Sequence, residues 1–86
     1  MFSAKVEVKN KTGLHARPAS QLVQLSQKFE SKIKIMTDNT EIDPKSIISV
    51  LSGGVSQGTT VEIEADGPDE EFAVNGLVEL IESFTE

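Results

Sequence analysis

Apolar side chains recur along this chain with two different periods, and the switches between them mark out its elements. Phe2, Ala4, Val6 and Val8 alternate with Ser3, Lys5, Glu7 and Lys9, the period of two expected of a strand with one buried face. Asn10 to Gly13 breaks that pattern. From Ala16 to about Phe29 the period becomes helical, with Ala19, Leu22, Val23, Ser26 and Phe29 on one side and Gln21, Gln24, Gln27 and Lys28 mostly on the other. Ile33 and Ile35 alternate with Lys32 and Lys34. After Asp38-Asn39, residues that tolerate positive φ, the segment around Ile42 returns as a hairpin. Ile47, Ile48, Val50 and Leu51, with Ser46 as a cap before them and Gly53-Gly54 as a stop behind, predict a helix of two turns. Val61, Ile63 and Ala65 alternate with Glu62, Glu64 and Asp66 in a further strand. Gly67-Pro68-Asp69 then opens a last helix with Asp69, Glu70 and Glu71 in its first turn and Ala73, Leu77, Leu80, Ile81 and Phe84 as its buried stripe.

The predicted order is β-α-β-β-α-β-α. Each strand carries one charged face, which a parallel sheet covered on both sides would not tolerate. The pattern therefore predicts an α+β fold, a two-layer sandwich whose mainly antiparallel sheet has helices on one face only. Eighty-six residues suffice for one core of this kind, so a single domain over 1–86 is expected and a multidomain enzyme is excluded. With no Cys and one His, disulfides and thiolate sites are absent, no transition-metal site is expected, and no cofactor is implied. No apolar h-region follows the N-terminus and no apolar run approaches the ~18 residues of a bilayer span. The expectation is a soluble cytoplasmic protein without membrane insertion.

Charge changes the picture when it is divided along the chain. Residues 1–36 hold seven Lys and Arg against two Glu, a net +5, and residues 37–86 hold one Lys against twelve Asp and Glu, a net −11. An overall −6 argues against direct nucleic-acid binding, which needs a broad basic face, but leaves room for a local basic patch that attracts phosphate or an acidic partner. A solvated, Lys-rich sheet face accounts for part of the asymmetry.

Candidate chemistry gathers at His15, between the turn Thr12-Gly13-Leu14 and the first turn of the best-patterned helix. A helix N-terminus presents unpaired N–H groups and roughly half a positive charge, which favours a bound phosphoryl group and a neutral, nucleophilic imidazole. Arg17, two residues on, brings a fork of donors matched to phosphate oxygens. Pro18 suits a first turn but biases Arg17 away from helical φ/ψ, so His15 is either the cap itself or lies just outside it. Plain anion binding and phosphoryl acceptance both fit these residues. Hydrolysis fits less well, since no second His, Cys or carboxylate lies near in sequence to serve as acid or to orient the ring. Ser46 is the second candidate, either a cap and nothing more or a phosphorylation site whose charge the helix dipole would accept. Ile47, Ile48 and Leu51 cannot all point inward from two turns, so at least one is expected at the surface beside Ser46.

The segment Asn10-Lys11-Thr12-Gly13-Leu14-His15-Ala16-Arg17-Pro18-Ala19 resembles the active-centre segment of HPr, the histidine phosphocarrier family of the bacterial phosphoenolpyruvate-dependent sugar phosphotransferase system. Lys45-Ser46-Ile47-Ile48-Ser49-Val50-Leu51-Ser52 resembles the family's second signature, and the likeness runs the whole length. The resemblance implies an open-faced sandwich with sheet order 1-4-2-3 and three helices on one face. It implies that His15 takes a phosphoryl group on Nδ1 from enzyme I, with Arg17 stabilising it, and passes it to enzyme II A domains, which makes the protein a carrier and not itself an enzyme. It implies that Ser46 is a target of HPr kinase in Gram-positive bacteria, promoting binding to a catabolite-control transcription factor. It also implies that Ala16, Ala19, Ser20, Ile47, Ile48 and Leu51 form the docking surface of a monomer. The alternative is a regulatory binding module acting through phosphorylated Ser46. Many family members carry a bulky apolar residue where this chain has Gly53. Gln24, Gln27 and Ser49 replace lysines of some members, which leaves Arg17, Lys28 and Lys45 as the expected local cations.

Overall fold

Strand β1 (Phe2–Glu7) pairs antiparallel with β4 (Thr60–Asp66), Val6 opposite Val61 and Ala4 opposite Ile63. On its other side β4 pairs antiparallel with β2 (Lys32–Met36), which takes β3 (Glu41–Ile42) as a short edge strand. In this computed structural model, which describes residues 1–85, the sheet order is β1-β4-β2-β3, as the family resemblance implies. Residue 86, the last of the expected 1–86 domain, lies outside the described residues. Helices α1 (Ala16–Ser26), α2 (Ile47–Ser52) and α3 (Glu70–Ser83) complete the order β-α-β-β-α-β-α. Val6, Ile33, Ile35, Val61, Ile63 and Ala65 turn inward to meet Leu22, Val23, Val74 and Leu77 from the helices, while the residues between them face water. The alternation read from sequence thus holds in all three longer strands. Leu80 and Phe84 are only half-buried, and Val74 takes the inner place that the predicted stripe of α3 left out.

The outer sheet face explains the charge asymmetry. Lys5 stands opposite Glu62, Lys32 opposite Asp66 and Lys34 opposite Glu64, so the basic rows of β1 and β2 flank an acidic row on β4. Opposite charges at such cross-strand positions are favourable, and charged edge residues discourage further strand pairing.

Asp69 caps α3 by position but makes no side-chain capping bond. Its carboxylate reaches across to the loop after α1, accepting from the backbone N–H of Glu30 at 2.9 Å, the N–H of Ser31 at 3.0 Å and the Ser31 hydroxyl. The Ser31 hydroxyl and then the Glu30 N–H hold this carboxyl below its ordinary range. Lys45 closes the same loop from the other side, its Nζ donating to the carbonyls of Phe29 at 2.8 Å and Ser31 at 2.9 Å.

Candidate functional site

The segment leading to His15 is built on the end of the sheet. The β1–β4 ladder runs one step beyond β1, Val8 N donating to Thr59 O at 2.8 Å and Gly58 N to Val8 O at 2.7 Å. The chain then turns over Asn10 to Gly13, closed by a bond from Gly13 N to Asn10 O of 3.2 Å. Gly13 has φ +65°, and a Cβ there would lie 2.8 Å from Ser56 Cα and closer still to the Val55 carbonyl oxygen. Conformation and space both demand glycine. Leu14 follows, fully buried, its N–H bonded to Val55 O at 3.1 Å. His15 therefore leaves a segment pinned from two sides.

His15 is the N-cap of α1, extended at φ −131° and ψ 167°, and its side chain makes no capping bond. The ring is half-buried, so one side meets solvent at the positive end of an eleven-residue helix that has no carboxylate in its first turn. The two placements left open by sequence resolve in favour of the cap. The irregular residue is its neighbour Ala16, whose φ of +56° costs an L-residue about 1–2 kcal/mol. Arg17 is exposed in the first turn, and Pro18 is buried beneath it. An imidazole unspent on capping at a helix N-terminus, with an arginine two residues on, is suited to receive an anionic group.

The second cluster lies on α2, which packs against α1. Ser46 caps α2, its half-buried Oγ accepting from Ser49 N at 3.3 Å. Only Val50 of this helix is buried. Ile48 is 74% exposed, and Ile47 and Leu51 are exposed at 40% and 43%. All three apolar residues reach the surface, where the sequence required one. Gly53 has an ordinary helical φ of −66°, and its reason is steric: a Cβ would lie 2.7 Å from Ile42 Cγ1 and nearer still to Cδ1.

One expectation needs correction. Ala19 was expected on the docking surface, but it is fully buried in the core, because its place on α1 points at the sheet; Ala16 and Ser20 are exposed. Lys45, one of the expected local cations, has its ammonium held by two carbonyls, and Gln27 Nε2 donates to its backbone oxygen at 3.1 Å. Two residues to which the motif reading gave no role lie in the turn that leads to His15: Lys11, exposed, and Asn10, buried. Asn10 carried a signal, a polar residue where the inward phase of β1 continues past Val8.

Among the described residues, no group of three His, Cys, Asp or Glu could hold a metal ion, and no helix is long and apolar enough to cross a membrane. The family model described as the PTS HPr component phosphorylation site matches residues 2–83. The phosphocarrier protein HPr of Xylella fastidiosa is 41% identical over 83 residues, 96% of this chain and 93% of that protein. The HPr-like protein Crh of Halalkalibacterium halodurans is 40% identical over 82 residues, 95% of this chain and 98% of its own. The crystal structure of HPr from Thermoanaerobacter tengcongensis superposes with a TM-score of 0.93 at 52% identity, covering 96% of this chain and 93% of that one. A dimeric crystal structure of HPr from the same organism matches at 0.76, with 96% and 95% covered.

Proposed function

The chain belongs to the HPr family, phosphocarrier components of the phosphotransferase system, and from that premise we propose that it accepts a phosphoryl group on His15 from phosphorylated enzyme I and donates it to enzyme II A domains. The observation that carries this reading is the half-exposed ring of His15 at the mouth of α1, free of any capping bond and two residues from Arg17. In the transfer the Nδ1 lone pair of His15 attacks phosphorus as the donor's N–P bond breaks, and the donor imidazole leaves with that electron pair. Nothing is oxidised or reduced. The loose transition state needs in-line placement and charge stabilisation more than acid–base chemistry. The first-turn amides and Arg17 are the groups on this chain suited to that stabilisation. It acts as a carrier consumed and regenerated by its partners and not as a turnover catalyst, a monomer in the cytoplasm formed as a single domain.

Intact-mass measurement after incubation with enzyme I and phosphoenolpyruvate tests this. The wild-type chain gains one phosphate that mild acid removes, and His15→Ala gains none. Failure of the wild type to gain mass, or an acid-stable adduct alone, refutes the carrier reading. Multiple turnovers of a phosphate ester by the isolated chain would make it a hydrolase.

A regulatory role through Ser46 is the second reading, favoured by the cap position of that hydroxyl beside exposed Ile47, Ile48 and Leu51 and by the likeness to Crh. In this reading an ATP-dependent HPr kinase phosphorylates Ser46 and a catabolite-control transcription factor binds the product. Acid-stable mass gain with the kinase and ATP, lost in Ser46→Ala, is the expected result.

A further inference from the structure

Three polar residues are buried among those described: Asn10, Ser26 and Ser31. Ser26 bonds back to Leu22 O within α1, at 2.7 Å, and Ser31 meets Asp69, so both are accounted for by local structure. Asn10 differs from them in place. It is 5% exposed and lies at the start of the turn that ends two residues before His15. Its Nδ2 donates to Gly13 O at 2.9 Å and to Thr12 Oγ1 at 3.3 Å, spanning the turn from within. The backbone bond from Gly13 N to Asn10 O closes the same turn from the other side.

One of these bonds and one more from Val55 act on a single peptide group. Gly13 O is held by the carboxamide of Asn10, and the next N–H, that of Leu14, is held by Val55 O at 3.1 Å. The Gly13–Leu14 peptide plane is thereby fixed at both its oxygen and its nitrogen. Leu14, with no exposed surface, locks the following step. The backbone of His15 thus inherits its orientation from a plane that Asn10 helps to set, which also orients the ring relative to the first amides of α1. Only a side chain of this length with an N–H₂ end can donate to both acceptors; Asp lacks the donor, and Ser lacks the reach.

From this geometry we infer that Asn10 is a positioning residue for phosphoryl transfer at His15, acting through the Gly13–Leu14 peptide and not through contact with the phosphoryl group. The inference rests on the carrier reading and deepens it. A nitrogen displaced by about 1 Å from its line of attack loses up to roughly 100-fold in rate. Docking, which the reading places on α1 and α2, does not pass through Asn10.

The test treats the full chain as the protein substrate of enzyme I and phosphoenolpyruvate, and separates kcat from KM. Asn10→Ala is expected to lower kcat roughly 10–100-fold with KM within about twofold, while circular dichroism reports a folded chain. Asn10→Ser, whose hydroxyl lacks the reach to Gly13 O, is expected to fall as far as Asn10→Ala. If Asn10→Ala does not fold, Asn10→Ser is judged by the same split. Val74→Ala, a core truncation in α3, serves as the control for lost stability and is expected to keep kcat. A folded Asn10 variant whose kcat matches wild type overturns the inference, as does a Val74→Ala variant slowed equally. A wild-type chain that gains no phosphate removes the carrier reading itself, and the positioning role with it.

Discussion

Gly13→Ala and Gly54→Ala form a matched pair that isolates how the His15 segment is held. Both glycines have φ +65°, so alanine pays the same left-handed cost at each, about 1–2 kcal/mol. Part of that is offset by roughly 0.4–1 kcal/mol from the stiffer unfolded chain. At Gly54 nothing lies within 4 Å of the added methyl, so the net loss should be about 1 kcal/mol. At Gly13 the methyl meets Ser56 Cα at 2.8 Å and Val55 C at 3.1 Å, all backbone and unable to rotate away. The 13–14 and 55–56 segments must part. That step forfeits the Leu14–Val55 bond, about 1 kcal/mol, and strains the packing around buried Leu14 by about 1–3 kcal/mol more. With the same net backbone loss as at Gly54 added, the total is about 3–5 kcal/mol. At ~4–8 °C per kcal/mol for a domain of this size, Gly13→Ala should lower Tm by about 12–40 °C and Gly54→Ala by about 5 °C. Thermal unfolding followed by circular dichroism reads both, and hydrogen exchange at the Leu14 amide reads the lost bond. Equal Tm losses for the two variants would refute the claim that the loop is clamped against residues 55 and 56.

Three further outcomes follow from other contacts. Asp69→Asn should destabilise at neutral pH, and its gap from wild type should close in acid. The folded carboxyl is held below its ordinary value of 3.8, so its stabilisation is complete above that value and is lost as pH falls through the lower folded one. Urea unfolding at pH 7 and in acid checks the sign; a gap that widens in acid contradicts it. Gly76→Ala in the middle of α3 should stabilise by about 0.5–1 kcal/mol, because the new Cβ meets Phe29 Cζ at an ordinary 3.5 Å and the helix gains a better former; a lower Tm contradicts this. Lys45→Met, which keeps the apolar stem, should cost about 1–2 kcal/mol by leaving the Phe29 and Ser31 carbonyls without their charged donor. Unchanged stability would show that water replaces the ammonium without loss.

What sequence disclosed and what it hid divide along physical lines. Alternation in Phe2–Val8, Lys32–Ile35 and Val61–Asp66 is set by one buried face, and a period of two survives any tertiary detail. The cap at Ser46 was legible because its residue type serves helix starts; Asp69, read into the first turn of α3, stands instead at the cap position and spends its carboxylate on Glu30 and Ser31 and not on its own helix. That bond spans 38 residues and leaves no periodic trace. The partners of Lys45 were hidden for the same reason: sequence gives its charge, while its carbonyl partners at Phe29 and Ser31 come from a loop that only the fold brings near. Ala19 was placed on the wrong side because the docking set came from resemblance, whereas its own helical spacing with Leu22 and Val23 pointed inward. His15 and Arg17 were singled out by type and position. The left-handed Ala16 between them has no sequence signature, since alanine is a residue that ordinarily avoids that region.

The charge division along the chain does not survive into space, and this bears on how a carrier of this kind would meet its partners. Three of the basic residues counted in the first 36, Lys5, Lys32 and Lys34, stand opposite Glu62, Asp66 and Glu64 on the open sheet face, so they set up little field of their own. Lys45 is bound by carbonyls. Lys9, Lys11 and Arg17 are exposed in or beside the segment that presents His15, and Lys28 is exposed just beyond α1. On the carrier reading, cations on the segment around His15 serve to attract the partner. So few charges steer an encounter weakly and only over about a Debye length. If the proposed docking through exposed Ile47, Ile48 and Leu51 holds, affinity comes chiefly from them, because burying such side chains against a partner is worth more per residue than any rim charge in salt.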